Sequence, residues 1–204
     1  MKSTFKLQPL AAAALASIAP ITRARTRDVA FTYRMGAGFP GDVNRTHPAS
    51  IVPGLQDTND PVRLYGDPVL FDATDNTYRG FTTADTGDAQ LIAGVLVRPY
   101  PTQQQSGGMS ATLGAAVPPT SGVIDVLDDG FVIVKCNNFG ANPPKKGGDV
   151  WVWVVASTGN HVIGGFEAAE DATPANTSKV LNAQWVSPPD AAGIAEMRVW
   201  PGNA

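Results

Sequence analysis

Residues 145–169, KKGGDVWVWVVASTGNHVIGGFEAA, restrict the choice of fold more than any other stretch. Lys145, Lys146, Gly147 and Gly148 mark a turn, and an unbroken apolar run, Val150 to Val155, follows it. A breaker, Ser157-Thr158-Gly159-Asn160, separates that run from a second one, His161 to Phe166. Valine and tryptophan favour a pleated backbone and the breaker is hairpin-sized, so the stretch reads as a β-hairpin. Side chains alternate across a strand, placing Val150, Val152 and Val154 on one face and Trp151, Trp153 and Val155 on the other. Neither face suits water, whereas a half-solvated antiparallel strand alternates apolar with polar residues. Both faces must therefore be covered, by the chain's own core or, on the tryptophan side, by another subunit.

The rest of the chain extends the β pattern. Short strand signals at residues 28–34, 62–65, 68–71, 78–82 and 90–100 are punctuated by Gly66-Asp67, Asp72 to Asn76 and Asp85 to Asp88. Residues 122–127 and 131–137 flank Asp128-Asp129-Gly130 and read as a second hairpin. Residues 179–186 and 194–200 close the series, separated by a proline stop at Pro188-Pro189. With 21 glycines, 17 prolines and no convincing body helix, the expected class is all-β, an antiparallel sandwich or small barrel with long loops and an N-terminal arm.

Two segments stand apart from the strands. Residues 36–61 run for about 26 positions rich in Gly, Pro, Asn and Asp, beyond the ~12–15 residues usual for a structureless loop, so the segment is expected to be pinned or to bind. Residues 103–120 are Gly/Gln/Ala-rich and read as an exposed loop joining two β subdomains, 28–102 and 121–204. The arm, residues 1–27, is basic and alanine-rich. Residues 1–35 hold Lys2, Lys6, Arg23, Arg25, Arg27 and Arg34 against Asp28, a net +5, which leaves −8 on the remainder of a chain whose total is −3. A basic arm on an acidic body speaks to partners rather than to fold. The arm also has features of a secretory signal, an apolar stretch and Ala14-Leu15-Ala16, though Pro9 interrupts it.

Chemistry-bearing motifs are scarce. The chain has two histidines, His47 and His161, and one cysteine, Cys136, within the apolar run 131–136. That cysteine reads as a small buried residue and excludes an internal disulfide framework. No nucleophile elbow, phosphate loop or zinc motif occurs. The aspartates fall where turns need them and do not match the spacing of a calcium loop. No run reaches the ~18 apolar residues of a membrane helix, and three arm arginines on an acidic body make a weak phosphate footprint. The expectation is a non-enzymatic chain with no cofactor, no metal, no nucleic-acid ligand and no membrane. A secreted β-sandwich binding module is the alternative.

The residues also carry a family resemblance. Phe31 to Met35, Gly38 to Arg45, His47 to Ile51, Gly94 to Pro101, Val123 to Cys136, Lys145 to Gly148 and Gly164 to Ala169 together resemble the structural cement proteins of tailed bacteriophages. The likeness runs from about residue 28 to the C-terminus, and residues 1–27 depart from it. It implies a β-rich capsid decoration protein. Such a protein binds the outer face of the virion at junctions between major capsid subunits and stabilises the expanded head. It also implies a homo-oligomer, with a trimer preferred and a dimer as the alternative. The expected capsid contacts are Asp42, Asn44, Arg45 and His47 in the long loop and Arg23, Arg25 and Arg27 in the arm. Trp151, Trp153 and Val155 are assigned to the core or to a self-interface.

Overall fold

The computed structural model describes residues 38–44, 49–87, 89–98 and 117–202. The arm, the strand expected at 28–34, most of the 103–120 segment, Arg45 and His47 lie outside the described residues. Chain contacts separate residues 1–34 from 35–204, and every described residue belongs to the second unit.

Among the described residues ten strands make up the fold: β1 (Ser50–Gln56), β2 (Pro68–Asp72), β3 (Thr77–Arg79), β4 (Ala89–Gln90), β5 (Gly94–Leu96), β6 (Gly122–Lys135), β7 (Asp149–Trp153), β8 (Phe166–Glu167), β9 (Thr177–Trp185) and β10 (Ile194–Val199). Five of them close a barrel in the order β1-β3-β2-β5-β6, with β6 returning to β1. The sheet then continues from β6 through β10, β9 and β7 to β8, and β4 adds in parallel to β9. Among the described residues the helical element is a single 3-10 turn, Pro174–Asn176. The class is the all-β one expected.

Strand β6 is the correction with the widest consequences. The sequence suggested a hairpin turning at Asp128-Asp129-Gly130, but β6 is one continuous strand of 14 residues. Its first half pairs with β1 on one edge and β5 on the other, and its second half pairs with β10. The aspartates and glycine produce a bend rather than a reversal. Gly130 has φ +143°, a conformation that side chains disfavour, and a Cβ there would crowd Ala49 and Leu127 at 3.3 Å. Leu127 and Val132 lie an odd number of residues apart, yet both enter the larger core. The strand therefore turns over near Gly130 as it passes from barrel to sheet.

The expected long loop supplies the second correction. Residues 50–56 form β1, which closes the barrel. Pro53 and Gly54 hide it from propensity, since both are depleted in strands. Gly54 is required because the Tyr78 ring lies over it: an added Cβ would sit 1.8 Å from that ring. Residues 62–65, expected as a strand, form a loop that buries Val62 and Tyr65 in the barrel interior and leaves Arg63 and Leu64 exposed. The 90–100 strand is broken into β4 and β5. The HVIGGF run contributes only its end to β8, which pairs with β7 at Trp151↔Glu167 and Val152↔Phe166.

Alternation along the shared strands fills two cores. Val69, Leu96, Ile124 and Val126 point into the barrel. Leu70, Val95, Val97 and Leu127 point outward into a larger cluster with Val150, Val152, Val154, Val180, Trp185 and Met197. The Phe166 and Trp185 rings meet edge to face there, 6.4 Å apart. Cys136 is fully buried in this cluster, and burial pushes its thiol up to about 12.

Gly94, where β5 meets β6, tolerates no side chain, because an added Cβ would lie 2.2 Å from the Leu127 carbonyl oxygen. Gly94→Ala is expected to cost about 3 kcal/mol or more in urea unfolding, as overpacking against backbone does. Gly140→Ala, facing open space, is expected to stay within about 0.5 kcal/mol of the parent.

Candidate functional site

Residues 38–44 run antiparallel beside the second half of β6. Gly41 N donates to Ile133 O at 2.8 Å, Ile133 N to Asp42 O at 2.9 Å, and Asn44 N to Phe131 O at 3.3 Å. Arg98 clamps the segment. Its backbone N donates to Gly41 O at 3.0 Å and its Nε to Pro40 O at 2.8 Å. The guanidinium also lies 5.6 Å from the Phe39 ring centroid and 5.2 Å from that of Tyr65. Asp42 Oδ1 is 3.8 Å from Arg98 Nε, and Asp42 Oδ2 accepts from Phe39 N at 3.1 Å. Asn44 Nδ2 donates to Glu196 Oε1 at 3.1 Å. Asp42 and Asn44 are thus each bonded to the chain's own body, and the segment offers Phe39, 52% exposed, together with Val43 and Asn44 to solvent. Arg98 was named only within the family motif, because nothing in its spacing revealed what it would stack on.

The tryptophan strand separates its residues. Trp153 is buried, Trp151 and Val155 half-buried. The loop after β7 folds back so that the His161 ring stacks on Trp153 at 4.1 Å between centroids. Trp153 Nε1 donates to Ala156 O at 3.2 Å, and His161 Nδ1 lies 2.6 Å from Glu167 Oε1. Burial raises the Glu167 pKa, and its hydrogen bond to His161 opposes the rise. His161 therefore ties a loop to the strand that carries Glu167, a role its position after a turn did not reveal.

Two depressions mark the surface. One, of about 170 Å³, is lined by Leu64, Tyr65, Asp67, Lys135 and Val162 among others. The other, of about 440 Å³, lies between β2, the β4–β5 connection and Asp128. Asp67 belongs to the first, and burial pushes its carboxyl up to about 7 against the opposing pull of Leu64 N–H, Arg63 and Lys135. Among the described residues no group of three or more His, Cys, Asp or Glu is placed to hold a metal ion.

An apolar strip also remains on the barrel. Leu55 and Val123 are register partners across β1 and β6 and are 55% and 65% exposed. Ile51 on the same strand and Val117 just before β6 are exposed as well. The described residues thus form an all-β body, a closed barrel with a sheet built onto it, with a strapped loop and uncovered aliphatic side chains on its surface. Residues 29–199 match the family described as XM1 gp53 minor capsid protein, and the chain belongs to that family. Among solved structures the chain is similar in fold to a chain of the capsid of Myoviridae phage XM1. The TM-score is 0.57 at 19% identity, covering 82% of this chain and 93% of that one. No curated protein matches the chain. The family places it in a structural role in a bacteriophage capsid, and so in the virion.

The folded state binds the Asp67 proton more tightly than the unfolded chain, whose carboxyl titrates near 3.8. Stability from this group is thus complete below about pH 4, falls as pH rises to about 7, and levels off above. Asp67 keeps some solvent contact, which makes the slope shallower than full enclosure would give. Asp67→Asn is expected to flatten the curve and raise the urea midpoint at pH 8, read by denaturation across pH 4–8.

Proposed function

We propose that this chain is a capsid cement protein. It binds the outer face of the phage head at junctions between major capsid subunits and stabilises the expanded shell, without catalysis and without a cofactor. Family membership sets the context. The observation that carries the reading is the uncovered apolar strip on β1 and β6, where Leu55 and Val123 stand opposite one another in water. Lone exposed aliphatics are ordinary, but a cross-strand pair with Ile51 further along the same face of β1 forms a patch of the kind that marks an interaction surface. Each contact need contribute little, because many copies on one lattice sum their effects and any ligand of the assembled state stabilises it.

The protein works as a homo-oligomer in this proposal, a trimer at threefold junctions in preference to a dimer across twofold ones. Asn44, half-buried Asp42 and the neighbouring Arg45 and His47 contribute polar contacts to the shell, and Arg23, Arg25 and Arg27 of the arm pair with carboxylates there.

Purified protein added at micromolar concentration to expanded heads that lack it is expected to be taken up and to raise the temperature of head disruption. Heads that stay bare refute the proposal. Val123→Asp is expected to leave the free protein's stability within about 0.5 kcal/mol, since the site is exposed, while weakening uptake.

A further inference from the structure

The larger depression, of about 440 Å³, is built unlike the rest of the surface. Asp128 lines it from β6, and Asp128 Oδ1 is buried with no hydrogen-bond partner. A buried carboxylate oxygen left unpaired costs the fold free energy, so its presence needs a reason. Arg79, the cation that also lines the depression, does not supply one. Its Nη1 and Nη2 are held by Asp85 in a two-pronged pair at 2.8 and 2.7 Å, and Nη1 also reaches Gly80 O at 3.2 Å. Its charge is thus committed on the spot.

The rim is apolar. Phe71 is 49% exposed, with the Tyr78 ring packed against it at 62° and 5.5 Å. Leu91 is 43% exposed. Parallel pairing of Gln90 with Val180 brings Leu91 alongside Leu181, which is 51% exposed and extends the apolar border. A carboxyl group among the residues lining a roomy depression, with an aromatic and an aliphatic side chain also lining it, is complementary to a long side chain that ends in a cation.

We propose that this depression is the socket for a lysine or arginine side chain carried by the capsid chain on which the protein sits, with Asp128 pairing the cation and Phe71 and Leu91 covering its aliphatic stem. The inference rests on the capsid-bound reading above and names the chemistry of the contact. The −8 balance of residues 36–204 favours a basic partner in the same sense. The socket also accounts for the unpaired oxygen: docking supplies the missing donor, so the cost borne by the free protein is recovered on the shell.

The test compares wild-type protein, Asp128→Asn and Phe71→Ala for binding to heads lacking the protein, at low and at raised salt, with thermal unfolding and sedimentation of the free proteins alongside. Asp128→Asn is expected to bind roughly tenfold more weakly at low salt. Its affinity should fall less steeply with salt than that of the wild type, and its Tm should equal or exceed the wild-type value. Phe71→Ala is expected to bind more weakly and keep its salt response. Asp128→Asn binding within about twofold of wild type overturns the proposal. So does a weakened Asp128→Asn that unfolds earlier while Phe71→Ala binds normally, since that marks Asp128 as structural. A change in self-association with head binding intact also overturns it, because the occupant is then a second copy. Heads that refuse the wild-type protein overturn both this socket and the capsid reading, whereas a defect confined to the variants leaves the latter standing.

Discussion

The structure depends on one shared strand. The first half of β6 is a barrel stave and its second half begins the neighbouring sheet, and 14 residues of continuous strand, bulged at Asp128 where the register to β1 shifts, join the two. Hydrogen bonds to β1, β5 and β10 along that strand fix the register of everything else. A one-residue slip would exchange the side chains that fill the barrel with those that fill the larger core, and each set is apolar but differently shaped. The turnover near Gly130 lets one strand serve both cores without exposing either.

Closing the barrel has a consequence for the surface. β1 pairs with β6 along its length and with β3 at Gln56, which closes the barrel and fixes β1 in place. Its outward side chains Ile51 and Leu55 are apolar and exposed. A rigid support beneath an uncovered apolar strip limits the ordering cost of association, which suits the proposed binding to many equivalent places on a shell. The clamp at Arg98, with its two aromatic neighbours, likewise fixes residues 38–44 against β6 before any partner arrives.

Much of the fold was legible because it follows from local alternation. The strands at β2, β9 and β10 and the pairing of β7 with β8 are written in β-branched and aromatic residues. The burial of Cys136 and of the valine face of β7 follows from the same pattern. What was misread depended on long-range partners. Asp128-Asp129-Gly130 carries the residues of a tight turn, but pairing on both edges of β6 holds it extended. Pro53 and Gly54 look like loop residues until Tyr78 is laid over them. The candidate sites divide the same way. Asp42 and Asn44 stand out as polar residues in a long loop, whereas nothing local marks Arg98 or Asp67 as a site and Asp128 reads as a turn aspartate, since enclosure and partnering are not properties of a residue's neighbours in sequence.

The sequence by itself determined that this is an all-β chain of the phage capsid type with few reactive groups, because strand periodicity, turn chemistry and motif order are local. Only the tertiary structure decided that a presumed hairpin is one strand, that a presumed loop closes a barrel, and which polar atoms are left unpaired. Those outcomes are set by which strands meet across long chain separations, and so by packing and pairing energies that no short window of residues contains.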